Sequence, residues 1–197
     1  MRVFFRWIAL VTALSLSLAA CSALAEDDGV YVGSRPAAGV YVTQTRKHTC
    51  TLIAATMMLR NYAYLRGSPY EMVDEWAVGF YAWSKGWGLA QHFVIGQIEV
   101  AQSADIRRCR DKKQYLIDQL AAHPEGIVIY DTGAPHAIYL FGYDRERDIF
   151  YCADTVTSRG GRPIRLENSI IRGEDQAAKI RTIDKIWYVA GRVAMET

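Results

Sequence analysis

The feature that most constrains the fold is the segment at residues 51–65, TLIAATMMLRNYAYL, which is apolar on almost every face when drawn as an α-helix. A helix of this kind must be covered on all sides, because none of its faces prefers water. Gly67 and Pro69 follow the segment, and Arg66 lies in its last turn, which indicates that the helix ends there. The chain is therefore predicted to fold around a central buried helix with Cys50 at its N-terminus.

The segments around this helix predict mainly helices first and strands afterwards. We expect three more helices before Pro124, at Ser68–Val78, around Gln91–Ala101 and at Lys112–Ala122. We also expect a short strand at Ile106–Arg110. Beyond Pro124 the apolar period changes to two, which predicts strands at residues 126–130, 136–143, 148–154 and 185–193. Two extended pieces precede the helices, at Val30–Val32 and Val40–Val42. This order is typical of an α+β fold with a central helix on an antiparallel sheet, and 197 residues fit one domain.

The first residues have the layout of an export signal. Arg2 and Arg6 precede an uncharged apolar segment, and small residues follow it. Two cleavage sites remain open: a signal peptide at residues 1–25, ending in ALA, or a lipoprotein signal at residues 1–20, in which the motif LAAC would place a lipid on Cys21. Either signal resembles those of bacteria and predicts a periplasmic or extracellular protein, with residues 26–197 as the mature domain.

The charge balance argues against a polyanionic partner. Removal of residues 1–25 takes away two arginines and no acid, so the 23 basic residues become 21 against 21 acidic ones. A chain with no net charge and no basic stripe is not expected to bind nucleic acid. We expect contact with a membrane only through the lipid that Cys21 could carry.

Three cysteines remain in the mature chain, at positions 50, 109 and 152. Cys109 and Cys152 could form a disulfide in an exported protein, or both could be buried thiols, and the sequence leaves the two open. No Cys or His pair has the spacing of metal ligands, so we expect neither a metal nor a cofactor.

Cys50 has two interpretations. Free cysteine is among the most buried residue types, so a structural role is the simpler one. A helix N-terminus, however, favours a thiolate through unpaired N–H groups and the helix dipole. Gln44, six positions upstream, could place its carboxamide beside the Cys50 N–H and form an oxyanion hole with it.

The segment HAIYLFGYDRERDIFYCAD, residues 136–154, predicts a β-hairpin that unites a histidine and an aspartate. If the polar turn is centred on residue 145, His136 and Asp154 lie directly opposite each other, with Cβ atoms about 5 Å apart. A register slip of one residue would break this pairing.

Together, the segments YVTQTRKHTCTLIAATMMLRNYAYLRG and PHAIYLFGYDRERDIFYCADT resemble the papain-like cysteine peptidases related to the double-glycine-leader peptidases that process bacteriocin precursors. The resemblance implies a papain-like fold, Cys50 as nucleophile, His136 as general base and acid, Asp154 as the residue that orients the imidazole, and Gln44 in the oxyanion hole. Thr51 differs from the glycine usual in the family, and a side chain at this position would narrow the cleft or alter which acyl group fits. Three functions follow: an exported peptidase acting on peptides or proteins, a transglutaminase-like or amidase-like enzyme with the same site, and a non-catalytic binding protein.

Overall fold

The computed structural model describes residues 29–82, 88–156 and 159–193. The predicted export signal, with Cys21, lies outside these ranges.

Helix α1, Cys50–Leu65, is the buried helix that the apolar run predicts. Only Cys50, Arg60, Tyr64 and Leu65 are not buried. Arg60 is the one charged residue within the helix. Its guanidinium donates to the carbonyl oxygens of Gly39, Glu71 and Val73. The helix therefore holds Cys50 at the point where it leaves the core.

The other helices of the described residues are shorter. α2, Glu75–Ala82, begins later than the predicted Ser68–Val78, and α3, Lys112–Ala122, has the predicted bounds. The Asp111 side chain starts α3 by accepting from the Gln114 N–H at 2.9 Å. α4, Gln176–Thr182, was not predicted, although Asp175 caps it in the same way.

One sheet contains all eight strands of the described residues. β1 pairs with β5, and the other strands follow the order β2-β3-β8-β4-β5-β6-β7, with every pair antiparallel. The strands are β1 (Tyr31–Gly33), β2 (His92–Ile95), β3 (Ile98–Gln102), β4 (Ile127–Asp131), β5 (His136–Asp144), β6 (Ile149–Asp154), β7 (Ile164–Arg165) and β8 (Lys185–Arg192).

The predicted helix at Gln91–Ala101 is wrong, because β2 and β3 form a hairpin there. Gly96, with φ of 61°, makes the tight turn between them, and the β-branched residues on either side pack well in strands. The predicted strand at Ile106–Arg110 is also absent, since Asp105 accepts from the Arg107 N–H and turns the chain. Val40 ends a 3₁₀ turn, Ala38–Val40, instead of starting an extended piece.

Apolar side chains cover both faces of the sheet. Alternate residues of β5 face opposite cores: Ala137 and Tyr139 pack with α1, whereas Ile138 and Leu140 pack with α3 and α4. The predicted α+β class is confirmed, with a largely antiparallel sheet between helices on its two faces. Strand β5, which pairs with β1, β4 and β6, begins with His136.

Candidate active site

The turn before α1 leaves the first N–H groups of the helix open to the Cys50 sulfur. His48 adopts a left-handed conformation, with φ of 65°. Thr49, at the N-cap, does not cap the helix with its side chain, because its hydroxyl donates to the Arg46 carbonyl at 3.0 Å. The backbone N–H groups of Thr51 and of Ala137 on β5 instead act on the sulfur and help to lower the pKa of the thiol. Cys50 is half-buried, so its sulfur is supported by backbone dipoles and still reachable.

His136 lies between Cys50 and Asp154. Its side chain is 12% exposed, and its Nε2 is 2.9 Å from Asp154 Oδ1. Because this contact uses Nε2, Nδ1 is the ring nitrogen left to interact with Cys50, and that interaction helps to raise the pKa of the ring. The structure thus brings together three of the residues predicted from the sequence.

The predicted direct pairing of His136 with Asp154 is wrong. Asp154 lies opposite Ile138, and the hairpin turn is centred between residues 146 and 147 instead of on 145. An extra residue, Phe141, forms a bulge in β5 between two paired positions and shifts the register. His136 is two residues from Ile138, so it keeps the same side of the strand and reaches Asp154 diagonally.

Asp154 is fully buried and each of its oxygens accepts a hydrogen bond. Besides His136, Oδ1 accepts from the Val156 N–H at 3.4 Å, and Oδ2 accepts from the Ile170 N–H at 2.9 Å. Burial would raise the pKa of this carboxyl, but the hydrogen bond to His136 and the backbone donors outweigh burial and lower it. Asp154 is therefore a fixed negative charge behind the imidazole.

The pKa values of Cys50 and His136 move in opposite directions. Burial would raise the pKa of the thiol, but the hydrogen bond and positive charge of His136 outweigh burial and lower it. Burial would lower the pKa of the imidazole, but the bonds to Asp154 and Cys50 raise it to about 9. These shifts favour a thiolate beside an imidazolium.

Gln44 is held next to the end of β6. Its backbone N–H donates to the carbonyl of Thr155 at 2.8 Å, one residue beyond Asp154, and its side chain is half-buried. The chain therefore does turn back toward the site at Gln44. The role of the carboxamide in an oxyanion hole stays a prediction.

Sequence reasoning missed the segment that supports Asp154 from behind. Ile170 contributes only its N–H, and the carbonyls on either side of it, of Ser169 and Ile171, accept from Lys179 Nζ at 3.0 and 2.5 Å. Lys179 is only 4% exposed, which is rare for lysine. A backbone donor leaves no mark in the sequence, and lysine is usually a surface residue, so neither could be found from residue types.

The two cysteines that follow α1 in the chain both lie within the described ranges. Cys109 and Cys152 are free thiols, so the disulfide that the sequence left open is not formed. Within the same ranges, no cluster of three His, Cys, Asp or Glu side chains could hold a metal ion. No helix in the described part of the chain is long and apolar enough to cross a membrane.

No protein-family model, curated protein or solved structure matches the chain. The function proposed below therefore depends on the residues and their geometry.

Proposed function

We propose that the chain is an exported cysteine peptidase of papain-like type, which hydrolyses peptide bonds through Cys50, His136 and Asp154. The observation that carries the proposal is the position of His136, whose Nε2 lies 2.9 Å from Asp154 Oδ1 and whose ring also interacts with Cys50, lowering the pKa of the thiol while its own pKa rises to about 9. Activated nucleophiles show this combination, in which a base lies next to the thiol and a third group orients the base. The apolar segment behind Arg2 and Arg6 supports export.

In the proposed reaction, the Cys50 thiolate attacks the carbonyl carbon of a peptide bond and forms a C–S bond. The carbonyl oxygen becomes an oxyanion, which the Cys50 N–H and the Gln44 carboxamide would stabilise by hydrogen bonds. The His136 imidazolium then donates its proton to the amine nitrogen as the C–N bond breaks, which leaves a thioester.

Water completes the cycle. Neutral His136 takes a proton from the water, whose oxygen attacks the thioester carbon. The C–S bond then breaks, which releases the acid product and restores the Cys50 thiolate beside the His136 imidazolium. Asp154 keeps its charge throughout, because it stabilises the imidazolium and holds the ring in position.

Alkylation by iodoacetamide tests the reactive thiol. At pH 6 an ordinary thiol, with a pKa of about 8.5, is almost wholly protonated, so we expect Cys50 to react much faster than a free cysteine peptide. His136→Ala should raise the pKa of the Cys50 thiol, and each unit of increase lowers the thiolate fraction at pH 6 about tenfold. The reaction should therefore slow roughly tenfold or more. A rate equal to that of the peptide, unchanged in His136→Ala, would overturn the proposal.

A peptide library, analysed by mass spectrometry with and without added amines, tests the reaction itself. We expect cleaved peptides from the wild type and none from Cys50→Ala. Products joined to the amine in place of cleaved ones would contradict hydrolysis and assign acyl transfer to the same residues.

A further inference from the structure

A cavity of about 300 Å³ lies beside the N-terminus of α1, between that helix and α2. Its apolar lining comes from Leu52, Trp76, Gly79 and Phe80, and Thr49 lines it as well. Residues Trp76 and Phe80 are 69% and 82% exposed, which is unusual for aromatic residues on a short helix. The cavity is at the small end of the range for ligand sites, so it fits one side chain better than a large ligand.

The polar part of the cavity carries one charge of each sign. Arg46 places its guanidinium 4.1 Å from the centre of the Trp76 ring. Glu75 accepts from the Thr45 hydroxyl through Oε2 at 2.7 Å. Its other oxygen, Oε1, is buried and has no hydrogen-bond partner among the described residues. A buried acceptor without a donor is unfavourable, so a bound group that donates a hydrogen bond to this carboxylate would gain affinity.

The cavity is close enough to Cys50 to contact a substrate. Thr49 is bonded directly to Cys50, and consecutive Cα atoms are about 3.8 Å apart. An extended peptide advances about 3.3 Å per residue, so a side chain within about three residues of the scissile bond can reach the cavity.

We propose that this cavity binds a substrate side chain that is aromatic, uncharged and a hydrogen-bond donor at its tip, with tyrosine as the best fit. The ring would lie against Leu52, Trp76 and Phe80, and the phenol O–H would donate to the carboxylate of Glu75, which lines the cavity. Arg46 disfavours a cationic side chain and Glu75 disfavours an anionic one. This inference rests on the proposed peptidase function and names its substrate class.

Peptides that differ at a single position, chosen among the three residues on either side of the scissile bond, test the preference. At one of these positions we expect kcat/KM for tyrosine to exceed that for phenylalanine about tenfold or more, because a hydrogen bond to a charged group is lost with phenylalanine. Lysine and glutamate should be poorer still. Equal rates for tyrosine and phenylalanine at every position would overturn the assignment of Glu75.

Variants of the lining locate the preference. An added Cβ at Gly79 would lie 3.7 Å from Leu52 Cδ1, an ordinary contact, so larger side chains can enter the cavity from this point. Gly79→Ala should reduce the advantage of tyrosine over alanine in part, and Gly79→Leu should abolish most of it. Tyr64→Ala removes an exposed aromatic side chain of α1 that does not line the cavity, so it should leave the advantage intact. An advantage that persists in Gly79→Leu would place the tyrosine elsewhere.

Two further measurements separate this inference from the proposed function. Iodoacetamide is too small to need the cavity, so its rate with Cys50 reports the thiolate in every variant. Binding of a tyrosine peptide to Cys50→Ala, followed by tryptophan fluorescence, reports the cavity without catalysis. Selective binding of the tyrosine peptide with an ordinary alkylation rate would support the role of the cavity and contradict the peptidase function. Fast alkylation without selective binding would support a reactive thiol and contradict the role of the cavity.

Discussion

Asp154 shows how one buried carboxylate can determine the chemistry of its neighbours. It is excluded from water, and its negative charge is balanced by the His136 ring and two backbone N–H groups. A charge in this position is costly unless each oxygen finds a donor. The His136 ring therefore gains more from being protonated here than it would in water, and the Cys50 sulfur gains with it.

Asp154→Asn should make Cys50 a more ordinary thiol. The amide still fills the space, but it removes the charge that raises the pKa of His136, so the thiolate fraction at pH 6 should fall about tenfold or more. The rate of alkylation between pH 5 and 9 measures this as a shift of the profile to higher pH. Asp144→Asn, which removes a carboxylate at the far end of β5, is the matched control. Superimposable profiles for Asp154→Asn and the wild type would contradict the assignment.

Stability should depend on pH through His136 once the thiol is removed. In Cys50→Ala, burial still disfavours the imidazolium, but the hydrogen bond to Asp154 should keep the pKa of the ring above its usual 6.5 or so. Since the folded state then binds the proton more tightly, this stabilisation is complete below about pH 6.5 and is lost as the pH rises through the folded-state value. The free energy of unfolding, measured in urea between pH 6 and 9, should fall accordingly.

The double variant Cys50→Ala, His136→Gln is the control for that measurement, because it lacks the titrating ring. Its free energy of unfolding should fall less over the same pH range, and equal slopes would contradict the role of Asp154. In the wild type the lowered pKa of Cys50 acts in the opposite sense and should offset part of the loss.

At the level of elements, the sequence predicted the helices whose apolar pattern fits only one kind of secondary structure. The run after Cys50 is too long and too apolar for anything except a buried helix, and Asp111 marks the start of α3. The segment at Gln91–Ala101 failed because a short apolar run fits either period, and the turn at Gly96 decides between them.

The candidate site divides in the same way. Cys50, His136 and Asp154 could be found because their residue types carry the chemistry. Their register could not, since the bulge at Phe141 depends on packing between strands and not on local pattern. The same holds for Ile170, whose contribution is a backbone N–H.

Helix α4 should influence the site through Lys179, a positioning residue. Its ammonium group holds the carbonyls of Ser169 and Ile171, and so fixes the Ile170 N–H that binds Asp154. Lys179→Met should lower the free energy of unfolding by roughly 1.5–3 kcal/mol, the scale of lost hydrogen bonds to a charged group. It should also shift the pH profile of Cys50 alkylation to higher pH.

Lys112→Met is the matched control for that prediction. Lys112 Nζ donates to two carbonyls in the same manner, of Arg181 and Ile183 at 2.6 and 2.5 Å, but neither flanks a group that binds Asp154. Its loss should reduce stability without moving the alkylation profile. If Lys179→Met reduces stability and leaves the profile in place, Lys179 is structural only.

Over the whole molecule, the sheet separates two cores, and the candidate site draws on both. Cys50 comes from the helix that packs with one core, whereas the segment behind Asp154 adjoins Leu166 and Ile171 in the other. Strand β5 lies between them and carries His136. Assembly of the site therefore requires both cores and the strand between them.

Thiol counting in residues 26–197, which lack Cys21, tests this arrangement. Cys50 and Cys109 are half-buried, whereas Cys152 is fully buried, and burial raises the pKa of its thiol well above the ordinary value. We expect two thiols to react with a disulfide reagent in the folded protein, with Cys50 the faster, and the third only after unfolding. Fast labelling of Cys152 in the folded protein, or a disulfide between Cys109 and Cys152, would contradict the structure.

The wide spacing of Gln44, Cys50, His136, Asp154 and Ile170 along the chain has a consequence for biogenesis. In a polypeptide threaded unfolded through a membrane, Cys50 would lie far from His136 and Asp154 and would lack their support for the thiolate. Reactivity would appear only when the last strands and α4 dock. The proposed site would therefore form only once the chain has folded, on whichever side of the membrane that happens.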